Sequence, residues 1–430
     1  MYLYAVINQP RIGLFSRVYN TGLSAYKTLL RLVAPFNPKA RQWLTGQQDL
    51  LSHIARSLAS ESAAGPAKPL AWFHAASLGE FEQGRPVIEA FRETYPDYRI
   101  LLTFFSPSGY EVRKNYDGAD YVFYLPLDTS RQARAFVALT QPRIAFFIKY
   151  EFWANYLQTL KAAGVPTVLF SAIFRPDQLF FKPYGGFYRN LLTCFDYILV
   201  QNQESVELLR KIGVQHARRA GDTRFDRVAQ VAAGKKAIPV AQAFRQGQPV
   251  LVVGSAWQAD MDVLIPFLNQ FDKPLKVIIA PHEINAEAIE QWRKQLQKRS
   301  VRFSQTNEAD VVSADVLFID NIGMLTSLYQ YGEFAFIGGA FRQGLHNSLE
   351  AATFGMPIFF GPVYGKFQEA VDLVEAGGAF PVTSVAELTA AFDRQYADPT
   401  VAAAISRAYV QRNVGATAQV MQVVHTLLPH

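Results

Sequence analysis

Short, almost wholly apolar runs alternate with stretches of helical spacing along most of the chain. In the first half the apolar runs occupy residues 70–73, 100–105, 121–124, 143–148, 167–170 and 197–200. Between them, apolar residues recur at helical intervals over 86–94 and near 110–115. Apolar strands of this length with helices between them are typical of a parallel sheet covered on both faces. The sequence therefore predicts an α/β fold.

A second series of the same kind follows a break in the pattern. Residues 228–249 are rich in Ala, Gly, Lys and Gln, a composition typical of a connection between domains. Apolar runs then return at 250–253, 276–280, 316–319, 334–337 and 357–360. We predict two Rossmann-like domains, 46–227 and 249–398, joined by a linker over 228–248 and facing each other across a cleft. The last segment, 399–430, has a helical pattern and is expected to cross back to the first domain.

The formal net charge of +6 is concentrated in the opening segment. The basic residues that precede the first acidic residue, Asp49, are Arg11, Arg17, Lys27, Arg31, Lys39 and Arg41. Apolar and aromatic residues lie among them at helical spacing, and no apolar stretch reaches the ~18 residues that span a bilayer. This pattern predicts an amphipathic segment over 1–45 that lies on an anionic membrane surface. The alternative is a helix packed on its own domain. Because the rest of the chain is nearly neutral, we expect no nucleic-acid partner.

Candidate chemistry in the first domain follows two of the predicted strands. Glu80 lies in the turn after the first strand, before a helix expected near Pro86, where free N–H groups favour a carboxylate anion. An ionised Glu that faces a cleft can act as general base, although a capping carboxylate is the alternative. Glu151 follows the strand 143–148 and supplies a second carboxylate at the same sheet edge. We interpret the neighbouring Phe152 and Trp153 as core side chains.

In the second domain the polar candidates also follow strands. Gly254 and Ser255 open a helix and offer backbone donors for a phosphate, and His282 follows the next strand. Asp260 and Asp262 resemble a metal-binding Asp pair, but their position in a helical first turn favours surface carboxylates, so we predict no metal site. The single cysteine, Cys194, excludes an internal disulfide and a cysteine-based metal cluster and fits a reducing compartment.

The strongest local signal is the glycine-bearing segment from residue 337 to residue 350. A strand ends in Gly338 and Gly339, a loop with Gly344 follows, and a helix is expected to begin near Asn347. Backbone N–H groups and a helix N-terminus there can contact an anion, while Glu350 can bond ribose hydroxyls. The residues alone therefore indicate a nucleotide-sugar site.

Taken together, these motifs resemble the Kdo transferase family, which transfers 3-deoxy-D-manno-oct-2-ulosonic acid (Kdo) from CMP-Kdo to lipid A precursors. The resemblance covers nearly the whole chain and is carried by residues 35–39, 74–80, 151–155, 221–226, 320–325 and 338–350, with Gly361 and Pro362 after them. It implies a GT-B fold, an acceptor-binding first domain, a CMP-Kdo-binding second domain and an inverting, metal-independent reaction. It also implies no cofactor beyond the donor substrate CMP-Kdo.

The resemblance also implies roles for individual residues. Glu80 is expected to be the base, with Glu151 as a second required carboxylate. The expected donor-binding residues are Gly254, Ser255, His282, Gly323, Met324, Leu325, Gly338, Gly339, His346, Asn347 and Glu350. The expected acceptor-binding residues are Ser77, Gly79 and Arg175, the last in place of a family arginine near Ile173.

Two other functions fit the same fold. A GT-B sugar-nucleotide epimerase needs the nucleotide cleft but no lipid contact. The basic amphipathic start of this chain distinguishes a Kdo transferase from such an epimerase. A catalytically inactive lipid-binding homologue would not need Glu80, Glu151, Asn347 and Glu350 together. We therefore expect transfer of Kdo to the lipid A precursor lipid IVA in lipopolysaccharide core biosynthesis, at the cytoplasmic face of the inner membrane of a Gram-negative bacterium.

Overall fold

The computed structural model describes residues 9–62, 68–342 and 344–428, with side chains from residue 17 to residue 59 in the first of these ranges. Residues 1–8 of the predicted membrane segment, the side chain of Arg11 and Gln343 of the glycine-bearing loop lie outside the described residues. The chain forms two units. Unit 1 runs to Arg227 and resumes at Gly415, and unit 2 comprises Val228–Val414.

Unit 1 is a parallel sheet with helices on both faces. Its strands are β1 (Leu70–Ala75), β2 (Arg99–Phe104), β3 (Tyr121–Tyr124), β4 (Ile144–Ile148), β5 (Thr167–Ala172), β6 (Tyr197–Val200) and β7 (Ala217–Arg219). Its helices are α1 (Gln9–Val33), α2 (Pro38–Gly46), α3 (Leu50–Ser62), α4 (Leu78–Thr94), α5 (Pro107–Arg113), α6 (Ser130–Thr140), α7 (Ala154–Ala162), α8 (Gly186–Leu192), α9 (Gln203–Lys211) and the start of α10 (Thr223–Ala233).

The seven strands of this sheet lie in the order β3-β2-β1-β4-β5-β6-β7, and all neighbours are parallel. All six residues of β1 are buried, because helices cover both faces of the sheet. Side chains alternate between the faces, so Trp72 belongs to one core cluster and Phe73 to the other.

Helix α1 packs on unit 1 through one face and leaves another exposed. Tyr19, Leu23 and Leu30 are partly buried against the core, and the Tyr19 hydroxyl donates to the carboxylate of buried Asp128 at 2.6 Å. A second flank exposes large apolar side chains, among them Leu32 at 69% and, just beyond the helix, Phe36 at 88%. Among the helices in the described part of the chain, none combines the length and hydropathy of a bilayer-spanning helix.

Unit 2 repeats the architecture. Its strands are β8 (Val250–Ala256), β9 (Lys276–Pro281), β10 (Ser300–Arg302), β11 (Val316–Phe318), β12 (Phe334–Ile337), β13 (Ile358–Phe360) and β14 (Ala379–Pro381). Its helices after α10 are α11 (Pro239–Arg245), α12 (Gln258–Gln270), α13 (Ala286–Gln295), α14 (Leu325–Leu328), α15 (Leu349–Phe354), α16 (Gln368–Ala376), α17 (Val385–Ala397) and α18 (Thr400–Asn413). The strand order is β10-β11-β9-β8-β12-β13-β14, again parallel throughout. The predicted α/β fold with two Rossmann-like sheets is confirmed.

Several predicted boundaries differ from the structure. Helix α4 begins at Leu78 and not near Pro86, which lies inside it. The stretch 228–248, expected as a linker, contains the end of α10 and all of α11. The pattern over 399–428 forms two helices, α18 in unit 2 and α19 (Ala416–Leu427) in unit 1.

Asp226 fastens α19 to unit 1. Its carboxylate accepts hydrogen bonds from the backbone N–H of Gly415 at 2.6 Å and of Thr417 at 2.7 Å, and from the Thr417 hydroxyl at 2.8 Å. A carboxylate that accepts N–H groups at a helix start satisfies donors that the helix itself leaves free. The chain thus leaves unit 1 after Arg227 and returns at Gly415 beside the same side chain.

Candidate active-site residues

The candidate catalytic residues follow the two strands at which the first sheet changes direction. From β1 the chain proceeds outward to β2 and β3, whereas β4 pairs with the other side of β1 and leads to β5. Glu80 lies in the first turn of α4, the helix that follows β1, and the loop after β4 carries Glu151. Ligands in such sheets bind in the crevice at this topological switch point, beyond the carboxyl ends of the strands. The structure therefore places both predicted carboxylates at the edge where this fold binds ligands.

Glu80 lies in the first turn of α4. Ser77, which precedes the helix in extended conformation, donates its hydroxyl to the Glu80 carboxylate. Glu80 is partly exposed, at a helix start whose first N–H groups have no partner within the helix. Gly79 is exposed, and a Cβ on it would approach only the Ser77 hydroxyl oxygen, at 3.8 Å. Ser77 and Gly79, predicted as acceptor-binding residues, thus adjoin the predicted base.

Glu151 is buried and fixed by two donors. It is 6% exposed, and its Oε2 lies 3.1 Å from Nε2 of His74 and 2.5 Å from the indole nitrogen of Trp153. A carboxylate accepts at both contacts, so the imidazole and the indole each donate an N–H group. The interpretation of Trp153 as a simple core side chain is therefore wrong: its ring packs on the core, but its N–H binds Glu151.

Sequence reasoning assigned no role to His74, which the structure makes one of the two donors to Glu151. His74 is wholly buried in β1, and its Nδ1 lies 3.0 Å from the hydroxyl oxygen of Thr103 in β2. The signal was a polar residue near the carboxyl end of an otherwise apolar strand. Its partner could not be identified, because Glu151 is remote in sequence and the pairing of β1 with β4 brings the two together.

Arg175 also lies at this sheet edge. Its side chain is exposed, follows β5, and donates to the hydroxyl of Tyr150 at 3.4 Å. Lys149, between β4 and Tyr150, adopts the left-handed backbone region with φ 69°, a conformation that non-glycine residues rarely adopt. The structure thus brings Arg175, a predicted acceptor-binding residue, to the loop that carries Glu151.

The glycine residues of unit 2 lie at the corresponding switch point, where β8 pairs with β12. Gly254 lies against Tyr329, whose hydroxyl oxygen would be 2.1 Å from a Cβ atom added to this glycine. An added Cβ on Gly338 would lie 2.2 Å from the backbone oxygen of Ser255, and Gly339 has φ 94°. Close backbone approach and left-handed conformation therefore require glycine at these positions.

Asp260 joins the two loops of this switch point. It is wholly buried and accepts the backbone N–H of Trp257 at 2.8 Å and of Gly339 at 2.9 Å. Burial raises the pKa of Asp260 to about 6, while the two N–H bonds act in the opposite direction. The predicted surface position is therefore wrong for Asp260, which is buried and holds the two loops through Oδ2, whereas Asp262 is exposed as expected.

Glu350 brings together three of the predicted donor-binding segments. It accepts the side-chain N–H of Asn347 at 3.0 Å and the hydroxyl of Thr326 at 2.6 Å. Thr326 belongs to α14, which follows Gly323 and Met324, and the Leu325 side chain lies near Gly254. Helix α15 begins at Leu349, two residues after the predicted start, and Asn347 accepts the Leu349 N–H.

Trp257, His282 and His346 form a ring cluster at the same edge. The ring planes of Trp257 and His346 are nearly parallel, at 11°, and the indole N–H donates to Nε2 of His346 at 2.9 Å. His282 stacks on both, with centroid distances of 4.4 Å to each. Burial and the neighbouring His282 lower the pKa of His346 to about 4. Within the described ranges, no three Asp, Glu, His or Cys side chains group as metal ligands.

Comparison with known proteins identifies a family and a set of relatives. A family model described as 3-deoxy-D-manno-octulosonic-acid transferase (kdotransferase) matches residues 52–227, within unit 1. The chain is similar to the 3-deoxy-D-manno-octulosonic acid transferase of Aquifex aeolicus, with 29% identity over 74% of this chain and 83% of the relative. It is likewise similar to the Bordetella pertussis transferase of the same name, with 27% identity over 83% of this chain and 87% of the relative.

Solved structures share the fold at lower identity. A putative UDP-N-acetylglucosamine 2-epimerase of Listeria monocytogenes superposes with a TM-score of 0.58 and 11% identity, over 84% of this chain and 96% of that one. The UDP-GlcNAc 2-epimerase of Neisseria meningitidis gives a TM-score of 0.58 and 14% identity, over 83% and 99%. At these identities the similarity shows the fold alone.

Proposed function

This chain belongs to the family of 3-deoxy-D-manno-octulosonic acid transferases and is a Kdo-transferring glycosyltransferase of GT-B fold, and from that premise we propose its donor, acceptor and base. The donor is CMP-Kdo, the acceptor is the lipid A precursor lipid IVA, and Glu80 is the general base. The observation that carries the proposal is that two different carboxylates lie at one switch point. Glu80 is partly exposed, whereas Glu151 is buried and accepts two hydrogen bonds.

Glu80 is the better candidate for the base because a base must reach the substrate. Its carboxylate is partly exposed in the first turn of α4, and its described partner is the hydroxyl of its own helix start. A carboxylate that is open to the substrate can accept a proton from a sugar hydroxyl as general base. That hydroxyl oxygen then attacks the anomeric carbon of Kdo, and the bond to CMP breaks on the opposite face, which inverts the configuration.

Glu151 has a different role in this proposal. With both His74 and Trp153 donating to one of its oxygens, the carboxylate has a fixed orientation in a buried site. Fixed charges next to a reacting centre act without reorganisation during the reaction. We assign Glu151 to positioning acceptor hydroxyls and to holding the loop after β4.

The donor is assigned to the switch point of unit 2. The leaving CMP phosphate gains charge as the bond breaks, and backbone N–H groups together with neutral polar side chains can stabilise that charge without a cation. The loops that begin with Gly254 and Gly338 approach closely here, and Glu350 lies where ribose hydroxyls can bond to it. His346 and Asn347 complete the proposed pocket.

We assign the enzyme to the anionic cytoplasmic face of the inner membrane of a Gram-negative bacterium. Helix α1 and the following turn expose Val18, Leu29, Leu32 and Phe36, and basic residues of the opening segment lie among them. Exposed apolar side chains interspersed with cations favour binding at an anionic lipid interface. A surface-bound enzyme meets a lipid acceptor without extracting it from the bilayer.

Replacement of Glu80 tests the proposed base. Glu80→Gln keeps the size of the side chain, so we expect CMP binding and melting temperature to persist while Kdo transfer falls roughly a hundredfold to ten-thousandfold. The matched control is Glu93→Gln, at an exposed position of the same helix. Mass spectrometry of the product from CMP-Kdo and tetra-acylated lipid A precursor measures transfer. Normal turnover by Glu80→Gln would remove Glu80 from the mechanism.

Membrane binding has its own test. Leu32→Ser with Phe36→Ser should lower sedimentation with vesicles that contain phosphatidylglycerol, because apolar area leaves the interface. Val401→Ser removes an apolar side chain of unit 2 that is 67% exposed, close to the 69% of Leu32, and serves as control. Unchanged sedimentation of the double variant would refute the assignment of this surface.

Incubation with UDP-N-acetylglucosamine tests the epimerase alternative. An epimerase would convert the sugar to its isomer, whereas we expect no isomerised sugar from this protein.

A further inference from the structure

The ring cluster of Trp257, His282 and His346 contains a hydrogen bond that determines where one proton lies. Trp257 has a single side-chain N–H and no acceptor, so its indole must donate in the 2.9 Å contact with His346. Nε2 of His346 must therefore be unprotonated. In a neutral imidazole the remaining proton then resides on Nδ1, and an imidazolium would place two N–H donors against each other.

The stacking of His282 strengthens this arrangement. His282 stacks on both Trp257 and His346, at 23° and 24° to the two rings. A proton on either histidine would place a positive charge against the other ring. Asp260 accepts the N–H groups of Trp257 and Gly339 through one of its two oxygens, Oδ2. The low pKa of His346 is consistent with this geometry.

We infer that Trp257 is a positioning residue: its indole N–H fixes His346 as the neutral tautomer that presents Nδ1–H, in the plane required to bond an anionic oxygen of the sugar nucleotide. This inference rests on the proposed donor site. Within the described part of the chain, Nδ1 of His346 makes no hydrogen bond to protein, whereas Nε2 accepts the Trp257 N–H. A neutral N–H donor directs a ligand oxygen without trapping the released phosphate by a full charge.

Trp257→Phe is the direct test, since it keeps an aromatic ring beneath His282 and removes only the N–H group. Long-range ¹H–¹⁵N spectra of the full-length protein, labelled at histidine, report the protonated nitrogen, and His346→Gln identifies the resonances. In the wild type we expect Nδ1 protonated and Nε2 not. In Trp257→Phe we expect mixed tautomers and CMP affinity lower by roughly three- to tenfold, the usual size of one lost hydrogen bond.

Trp292→Phe is the matched control, because Trp292 also lies in unit 2 and donates its indole N–H at 2.7 Å, to Gln258. It should change neither the His346 tautomer nor CMP affinity. In a His346→Gln background, Trp257→Phe should lower CMP affinity no further, since the tautomer it fixed is gone. Equal losses in both backgrounds would mean that Trp257 only packs, and would overturn the inference.

The two readouts separate this inference from the proposed function. An unchanged tautomer in Trp257→Phe overturns the inference even when Kdo transfer is confirmed. If the wild type binds no CMP, the proposed donor site fails while the tautomer result still stands. A tautomer change with no loss of CMP affinity would refute the positioning role.

Discussion

The contact between His74 and Glu151 should dominate the energetics of the candidate site in unit 1. His74→Phe keeps an aromatic ring in β1 but removes one of the two N–H groups that reach the buried carboxylate. Leaving a buried charged group short of a donor costs about 1–3 kcal/mol or more, so we expect unit 1 to lose about 3 kcal/mol of unfolding free energy. Kdo transfer should fall with it, because Glu151 loses its fixed orientation.

A double-mutant cycle turns this expectation into a measured coupling. Glu151→Gln alone should destabilise unit 1 less than His74→Phe, since an amide is cheaper to bury than a carboxylate. In the double variant the unpaired charge is absent. Its loss of unfolding free energy should therefore fall short of the sum of the two single-variant losses by about 1–3 kcal/mol.

Hydrogen exchange of β1 and β4 peptides at increasing urea measures the opening of unit 1 apart from unit 2. His216→Phe combined with Glu151→Gln is the control, because His216 bonds the distant backbone oxygen of Leu192 and its effect should add. Losses for His74→Phe and Glu151→Gln that add within about 0.5 kcal/mol would refute the coupling.

Three further outcomes follow from the structure. Asp226→Ala removes three hydrogen bonds to the start of α19 and should lower the protection of that helix from exchange by about 2–3 kcal/mol; unchanged protection would contradict this. Burial raises the pKa of Asp128 to about 7, above its unfolded value of about 3.9, so the folded protein binds this proton more tightly. Its contribution to stability should therefore fall as pH rises from about 4 to 7, on the order of 1 kcal/mol per unit, and urea unfolding of Asp128→Asn should lack that slope; equal slopes would be the contrary result. Excess EDTA should leave Kdo transfer intact, whereas a loss restored by Mg²⁺ would defeat the metal-independent mechanism.

The strands that the sequence revealed are those buried on both faces. The apolar runs at 121–124, 197–200 and 334–337 coincide with β3, β6 and β12. The strands without such a signal are β7, β10 and β14, each three residues long and each at a sheet edge, whereas the remaining edge strand, β3, is four residues long and wholly apolar or aromatic. An edge strand has a neighbour on one side only and tolerates charged or proline residues, so sequences such as Ala-Arg-Arg lack an apolar run.

The start of α4 shows a second limit of the sequence. Proline is common at the first position of a helix, so Pro86 indicated a start there, whereas the helix already begins at Leu78. The pattern could place Glu80 and Glu151 at strand ends, because parallel strands present their carboxyl ends at one edge. It could not supply His74 and Trp257 as partners, since those contacts depend on strand order and side-chain direction.

Unit 2 is an insertion within unit 1, and the hydrogen bonds of Asp226 hold the two ends of unit 1 together where the insertion begins and ends. Both points at which the polypeptide crosses from one unit to the other adjoin a single carboxylate, so residues 228–414 depart and return at one place. A few residues of glycine-rich linker from Arg227 to Gly415 would close unit 1 into a continuous domain without them. The same arrangement means that replacing the inserted segment with that of another nucleotide-sugar enzyme requires only two neighbouring junctions, which suits this chain to domain exchange.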